Sequence, residues 1–149
     1  VPTRTIAPRR GEQSYGDIKS ALSAGFESII YVDLSNSHYV EFAASGMLEN
    51  LQIVNSGTDF FESAQQLLFA SIHPSDAARV ALSLQKEALM VELVGRDPFY
   101  MTYRVMEEGQ PRYYSMKAIR TNAFDDHHIV IGISNIDDQV RQVLEDARA

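Results

Sequence analysis

The feature that most constrains this chain is a block of three strand-like runs joined by turns. They are FYMTYRVME (99–107), RYYSMKAIR (112–120) and HHIVIGISNI (127–136). The first gap is Glu108-Gly109-Gln110-Pro111 and the second spans Ala123 to Asp126. Parallel neighbours need a crossover of a dozen or more residues, so turns this short make the three strands antiparallel. In IVIGI the apolar residues run on without alternation, the pattern of a strand covered on both faces. A sheet with a face to bury needs helices to bury it, and the sequence before Phe99 supplies them.

SIHPSDAARV (71–80) gathers Ser71, His73, Ser75 and Asp76. A Ser/His/Asp catalytic group and half of a metal site are the chemical readings. The structural reading explains more residues. Proline is favoured at the first helical position, where its missing N–H is not needed. Pro74 there puts His73 at the cap and Asp76 at the third position, where a carboxylate accepts orphan amides and suits the helix dipole. Ala77, Ala78, Val80, Ala81 and Leu84 carry a helix on to about Leu93, before Gly95. The stretch is the start of a helix. Upstream, Asp59 with Glu62 is a capping pair, and Phe60, Phe61, Ala64, Leu67, Leu68 and Ile72 form an apolar stripe of helical period.

Nearer the N-terminus, Ser14 and Asp17 cap a short amphipathic helix over 15–24, with Tyr15, Ile18 and Leu22 on one face and Gly25 as its stop. FESIIYVDL (26–34) and HYVEF (38–42) then form a hairpin around Ser35-Asn36-Ser37. The stretch 43–58 reads as loop and short helical turns. After Asn135 the chain is helical again. Ile136, Val140, Val143 and Ala147 are spaced as the a and d positions of a coiled-coil seam. The expected fold is α+β: a five-stranded antiparallel sheet with helices on one face and flanking N- and C-terminal helices. The division is a lead-in over 1–14, a domain over 15–137 and an exit helix over 138–149.

In this order of elements the chain resembles a PAS domain over roughly residues 15–140, of the kind found in bacterial histidine kinases and diguanylate cyclases. Four pieces carry the resemblance: YVDLSNSHYVEF, IHPSDAARV, FYMTYRV with its Tyr-Arg pair, and VIGISNIDDQV. The last is similar to the Asp-Ile-Thr-type junction through which such domains pass into a signalling helix. Here it is Asn135-Ile136-Asp137, so an amide replaces the first acid and offers a hydrogen bond in place of a salt bridge. The resemblance implies a sensory or interaction module of a two-component or cyclase protein. Such a module holds a small ligand between sheet and helices, or none, and passes a change of packing to an output domain. Asn135, Ile136 and Asp137 would be the signal-transfer residues. The chain shows no kinase histidine motif, no G-x-x-x-x-G-K-[ST] loop and no Gly-Gly-Asp-Glu-Glu-Phe run. It reads as a fragment of a larger protein.

Composition narrows the partners. Thirteen basic and 20 acidic residues among 149 give a net charge of −7. That disfavours nucleic acid and anionic membrane, both of which need a basic face. No apolar run reaches the ~20 residues of a membrane span. VPTRTIAPRR, at the start, is basic but lacks the apolar stretch of a secretion signal. There is no cysteine. This excludes a flavin–cysteine adduct, a thioester-linked chromophore, thiolate catalysis and disulfides, and it fits a cytoplasmic location. Haem would need an axial histidine from His38, His73, His127 or His128, and is disfavoured because the helix start accounts for His73. Asp125-Asp126-His127-His128 reads as a turn rather than a metal site, since neighbouring strand residues point to opposite faces. No metal is expected.

A ligand pocket, by this reading, lies between the helices of 60–93 and the inner face of the last three strands, lined by Leu68, Tyr103, Met116 and Ile131. Tyr100, Tyr103, Tyr113 and Tyr114 pack across strands or present a hydroxyl to a ligand. Arg104 and Arg120 read as surface or sheet-pair residues. The expected activity is non-enzymatic sensing and homodimerisation. The alternative is a small α+β-cone enzyme, an isomerase or dehydratase with an Asp or His base and a tyrosine donor in a deep pocket. A third possibility is a structural PAS-like dimer with a filled core.

Overall fold

The computed structural model describes residues 26–43, 52–67, 70–94, 98–122 and 125–148. The expected helix at 15–24 and the pocket candidate Leu68 lie outside them. The described elements are β1 (Ser28–Asp33), β2 (Tyr39–Ala43), β3 (Gln52–Gly57), α1 (Phe60–Leu67), α2 (Pro74–Ser83), α3 (Lys86–Glu92), β4 (Phe99–Glu107), β5 (Gln110–Asn122), β6 (Asp125–Asn135) and α4 (Asp137–Arg148).

The strands form one antiparallel sheet in the order β3-β2-β1-β6-β5-β4. It has six strands where five were expected, because β3 occupies part of the stretch read as loop and short helical turns. Its two apolar residues, Ile53 and Val54, are 64% and 55% exposed. An edge strand that buries neither leaves no alternating pattern to read. The β4–β5 turn is tight, with Glu107 opposite Gln110. Glu108 and Gly109 both take positive φ, the conformation a two-residue hairpin of this twist requires.

On the inner face, Ile30, Val32, Met101, Tyr103, Met116, Ala118, Ile129 and Ile131 pack against Phe60, Ala64, Val80, Leu84, Leu89 and Leu93 from the helices. On the outer face Ile29 and Val130 are also buried, with Phe26, Tyr31, Phe42 and Ile119 around them. The central strand is thus covered on both sides, as its unbroken apolar run predicts. Gly132 belongs to this face: a Cβ there would stand 2.6 Å from the ring of Phe26.

The helix expected to run from Pro74 to Leu93 is two helices. Gln85 is extended between α2 and α3 (φ −77°, ψ 145°). Leu84, Leu89 and Leu93 are all buried. In one continuous helix Leu84 and Leu89 would stand about 140° apart around the axis. The break turns both inward.

His73 caps α2 as expected, its Nδ1 accepting from Ser75 N–H at 3.0 Å. Asp76 does not cap the helix. Its Oδ2 accepts the backbone N–H and the Nε–H of Arg104, both at 2.9 Å, and its Oδ1 accepts from Arg104 Nη2 at 3.1 Å. Arg104 is therefore half of an ion pair, not a free surface residue. The neighbours complete the contact. Met106 N–H donates to Ser71 O at 2.6 Å, His73 N–H to Arg104 O at 2.8 Å, and Arg79 Nη2 to Thr102 O at 2.8 Å. Segment 71–79 satisfies the free edge of β4 group by group, which removes an exposed edge as a template for aggregation.

The guanidinium of Arg104 holds the Asp76 carboxyl at about 2, below its ordinary 3.8, against the opposing effect of burial. A carboxyl depressed on folding stabilises the fold above its unfolded value, and that stability is lost as pH falls through the folded value. Replacing Asp76 with Asn should cost about 2 kcal/mol at pH 7. It should also flatten the acid limb of stability between about pH 5 and pH 2. Denaturant unfolding across that range checks both. An unchanged acid limb would mean that Asp76 does not hold the edge.

Candidate functional site

Two features stand out: a cavity under α1 and the joint between sheet and exit helix. The cavity has a volume of about 70 Å³. Ile30, Phe60, Ala64 and Ile133 form its apolar walls, and Tyr39, Glu41, Asn55 and Ser63 its polar part. Strand alternation puts these groups there. Ile30 faces the core, and Glu41 is its register partner and faces the same way. Asn55 opposes Glu41 on β3. The Tyr39 ring meets Phe60 edge to face at 5.7 Å. It lies over Gly57, where a Cβ would come within 2.6 Å of the ring, so that position needs glycine. Ser28 Oγ donates to Glu41 Oε2 at 2.7 Å.

Of the pocket residues expected from sequence, the three described ones do not line this cavity. Tyr103, Met116 and Ile131 are buried in the packed core beside α1, α2 and α3. They lie on adjacent strands, Ile131 opposite Ala118 and Met116 opposite both Met101 and Ile133. Tyr103 stacks on Tyr114 with centroids 6.3 Å apart. Burial pushes the Tyr103 phenol up, and burial with the hydrogen bond to Glu107 raises Tyr114 to about 12. Tyr100 is exposed, with Lys117 Nζ 5.5 Å from its ring centre. Arg120 Nε donates to Leu93 O at 2.6 Å, tying β5 to the end of α3. None of the four histidines lines the α1 cavity. His73 caps α2, and His38 and His127 are exposed. His128 is buried on the outer face, stacked on Tyr31 and 3.4 Å from Asp33 Oδ2. That pair borders an open cleft of about 440 Å³. Among the described residues no three His, Asp or Glu side chains gather as a metal site would require.

The joint is built on Asp137, which is only 4% exposed. Its Oδ1 accepts Tyr113 N–H at 3.1 Å, and its Oδ2 accepts from Arg112 Nη1 at 3.2 Å and Arg141 Nε at 2.7 Å. Arg141 belongs to α4 and the other two to β5, so one carboxylate binds helix to sheet. Ile136 N–H donates to Tyr113 O at 2.9 Å. Asn135, the expected coupling residue, accepts Asp137 N–H on its Oδ1 at 2.9 Å. The Arg141 hydrogen bond, helped by Tyr113 N–H and Arg112, holds the Asp137 carboxyl below the usual carboxylate range despite burial. From the seam, Ile136 and Val140 are half-buried, while Val143 is 66% exposed and Ala147 is also exposed.

Register ties the joint to the rest of the domain. Arg104 and Tyr113 face each other across β4 and β5. Arg104 N–H goes to Asp76 at the start of α2, and Tyr113 N–H to Asp137 at the start of α4. Two helix starts grip one rung of the sheet from opposite sides. Sequence reasoning missed this because the partners lie 28 and 24 residues apart. The only trace was the choice of Asp at the first turn of each helix.

No family model matches the chain, and no curated protein matches it. Solved structures do. An RNA-binding light-oxygen-voltage receptor is 14% identical at a TM-score of 0.50, over 80% of this chain and 30% of that one. A sensory box histidine kinase/response regulator from Burkholderia thailandensis E264 is 20% identical at a TM-score of 0.49, over 88% of this chain and 94% of that one. A PAS domain of an HTR-like protein from Haloarcula marismortui is 13% identical at a TM-score of 0.35, over 87% and 100%. The first likeness is one of fold. The chain has the α+β PAS fold.

Replacing Asp137 with Asn should leave the sheet folded and loosen the helix. Amide exchange in residues 138–148 is expected to rise at least several-fold, with β1 and β6 unchanged. In the unsubstituted chain the same loosening should appear as pH falls below the usual carboxylate range, since the depressed carboxyl stabilises the joint only while ionised. Equal exchange in the two proteins at neutral pH would remove Asp137 from the joint.

Proposed function

We propose that this PAS-fold domain is the sensory and signal-transducing module of a larger bacterial protein, cytoplasmic and non-enzymatic, that reports a small ligand to an output domain through α4. A histidine kinase or a diguanylate cyclase is the parent that the reading fits. The observation that carries it is the shared rung: Asp76 and Asp137 seat two helices on Arg104 and its partner Tyr113. A change that moves β4 against β5 would move α2, seated on Arg104, relative to α4, seated on Tyr113. The cavity adjoins this path. Ile133 lines it and sits two residues before Asn135 on the same face of β6. A guest that displaces Ile133 would shift Asn135 and the helix start it hydrogen-bonds, a rigid-element transfer of the kind that slides or rotates signalling helices.

Self-association completes the reading. A helix of 12 residues is marginal in water alone. α4 leaves Val143 and Leu144 exposed at 66% and 48%. Pairing with a second copy along the seam Ile136–Val140–Val143–Ala147 would bury Val143. The rival enzyme reading draws on one fact, that Glu41 and Tyr39 share the cavity as a carboxylate and a phenol. It leaves the seam and the Asp137 joint without a role. Chemical conversion of a cavity ligand, with product released, would favour it.

The double substitution Val140→Asp and Val143→Asp should shift sedimentation from dimer to monomer while the far-ultraviolet spectrum of the sheet is retained. A chain already monomeric at high concentration would refute self-association for this domain.

A further inference from the structure

We infer that the α1 cavity takes a small organic cation: a primary or methylated ammonium of about five non-hydrogen atoms. This builds on the sensory reading only in assigning the ligand to that cavity. Size sets the first limit. A volume of about 70 Å³, at about 10–15 Å³ of such space per water, holds roughly five heavy atoms. Charge sets the second. Among the described residues, Glu41 is the one carboxylate in the lining, and no lysine or arginine lines the cavity. Its half-buried side chain receives, among the described residues, one hydrogen bond, from Ser28 Oγ at 2.7 Å, and makes no ion pair. A carboxylate has about four acceptor positions. Asp76 and Asp137 fill theirs with guanidinium and backbone N–H groups; Glu41 leaves most of its own open.

The walls suit the same guest. The Tyr39 and Phe60 rings meet edge to face, and a cation within about 6 Å of a ring face is attracted by its quadrupole. Ile30, Ala64 and Ile133 would pack against alkyl carbons. An anion would meet a carboxylate and no counter-charge. A neutral apolar guest would strip water from Glu41 without replacing its hydrogen bonds, which costs free energy. A bare metal ion would find too few ligands, since a hard divalent cation takes six or more oxygens. The backbone is also adjusted here. The β2–β3 pairing shifts register between Glu41 and Phe42, and such irregularities re-aim side chains at sites.

The test is an NMR titration of the purified domain, reading the methyl groups of Ile30, Ala64 and Ile133. The probes are methylammonium, ethylammonium and tetramethylammonium, with acetate and tert-butanol as anionic and neutral isosteres. At least one ammonium should shift these methyls saturably, with Kd about micromolar or weaker, the ceiling for so few atoms. Glu41→Gln should weaken it at least tenfold. Ala64→Leu, which fills the cavity and leaves Glu41 in place, should abolish it. The inference is overturned if acetate or tert-butanol binds as well as the ammonium ions, if Glu41→Gln leaves affinity unchanged, or if no ammonium shifts these methyls. The α4 amides in the same spectra decide the other question. Saturation without any α4 response would contradict the sensory reading and leave the cation assignment standing.

Discussion

A six-stranded open sheet has two free edges, and the domain depends on how the β4 edge is closed. Thr102 O, Arg104 N–H, Arg104 O and Met106 N–H all face away from β5, and each is satisfied by segment 71–79. Asp76 is the centre of that closure, because it takes both the strand's N–H and the guanidinium of the same residue. A carboxylate that accepts a guanidinium and a backbone amide makes charge-assisted hydrogen bonds, roughly twice as strong as neutral ones. The closure also positions α2, whose Val80 is buried in the same core cluster as Met101 and Tyr103. Remove it and the helical layer loses its one directional tie to the sheet at this edge.

The exit joint repeats the same chemistry one strand inward. Asp137 replaces the missing β6 neighbour beyond Asn135, accepting Tyr113 N–H where a strand carbonyl would otherwise be needed. It adds arginines from both sheet and helix. A joint made of directional, charge-assisted bonds behaves differently from one made of apolar contacts. On the proposed sensory reading it would transmit a displacement of the strand as a displacement of the helix axis, because the bonds fix orientation as well as proximity. On the proposed self-association, the apolar seam beyond it would engage the partner, dividing labour along α4 between anchor and contact surface.

Much of this was legible in the sequence and some was not, for physical reasons. β4, β5 and β6 announced themselves because both faces of the sheet are buried around β6, which forces apolar residues into runs. The start of α2 was legible because Pro74 and the cap at His73 are local chemistry. β3 was not, since Ile53 and Val54 bury nothing. The break at Gln85 was signalled only by the spacing of Leu84 and Leu89, which no single helical face can serve. The roles of Asp76 and Arg104 depend on contacts across 28 residues, and local pattern offers only the Asp in the first turn, which does not name its partner. Asn135, Ile136 and Asp137 were all read as signal-transfer positions; that the bonding concentrates on Asp137 was not legible, because its β5 partners lie 24 and 25 residues away. The α1 cavity, over β1 to β3, is a space left by side chains, and the chain spells side chains, not gaps.

The central claim is that packing in the α1 cavity reaches α4 through Asp137. The chain has no cysteine of its own, so spin labels can be placed at exposed Thr102 on β4 and Glu145 on α4 without interference. Ala64→Leu fills the cavity permanently and removes the need for a ligand. Pulsed dipolar distance measurement should show the Thr102–Glu145 distribution shift on filling. The shift should vanish when Asp137→Asn is added. Identical distributions with the cavity open and filled would contradict the claim, and so would a shift of the same size without Asp137.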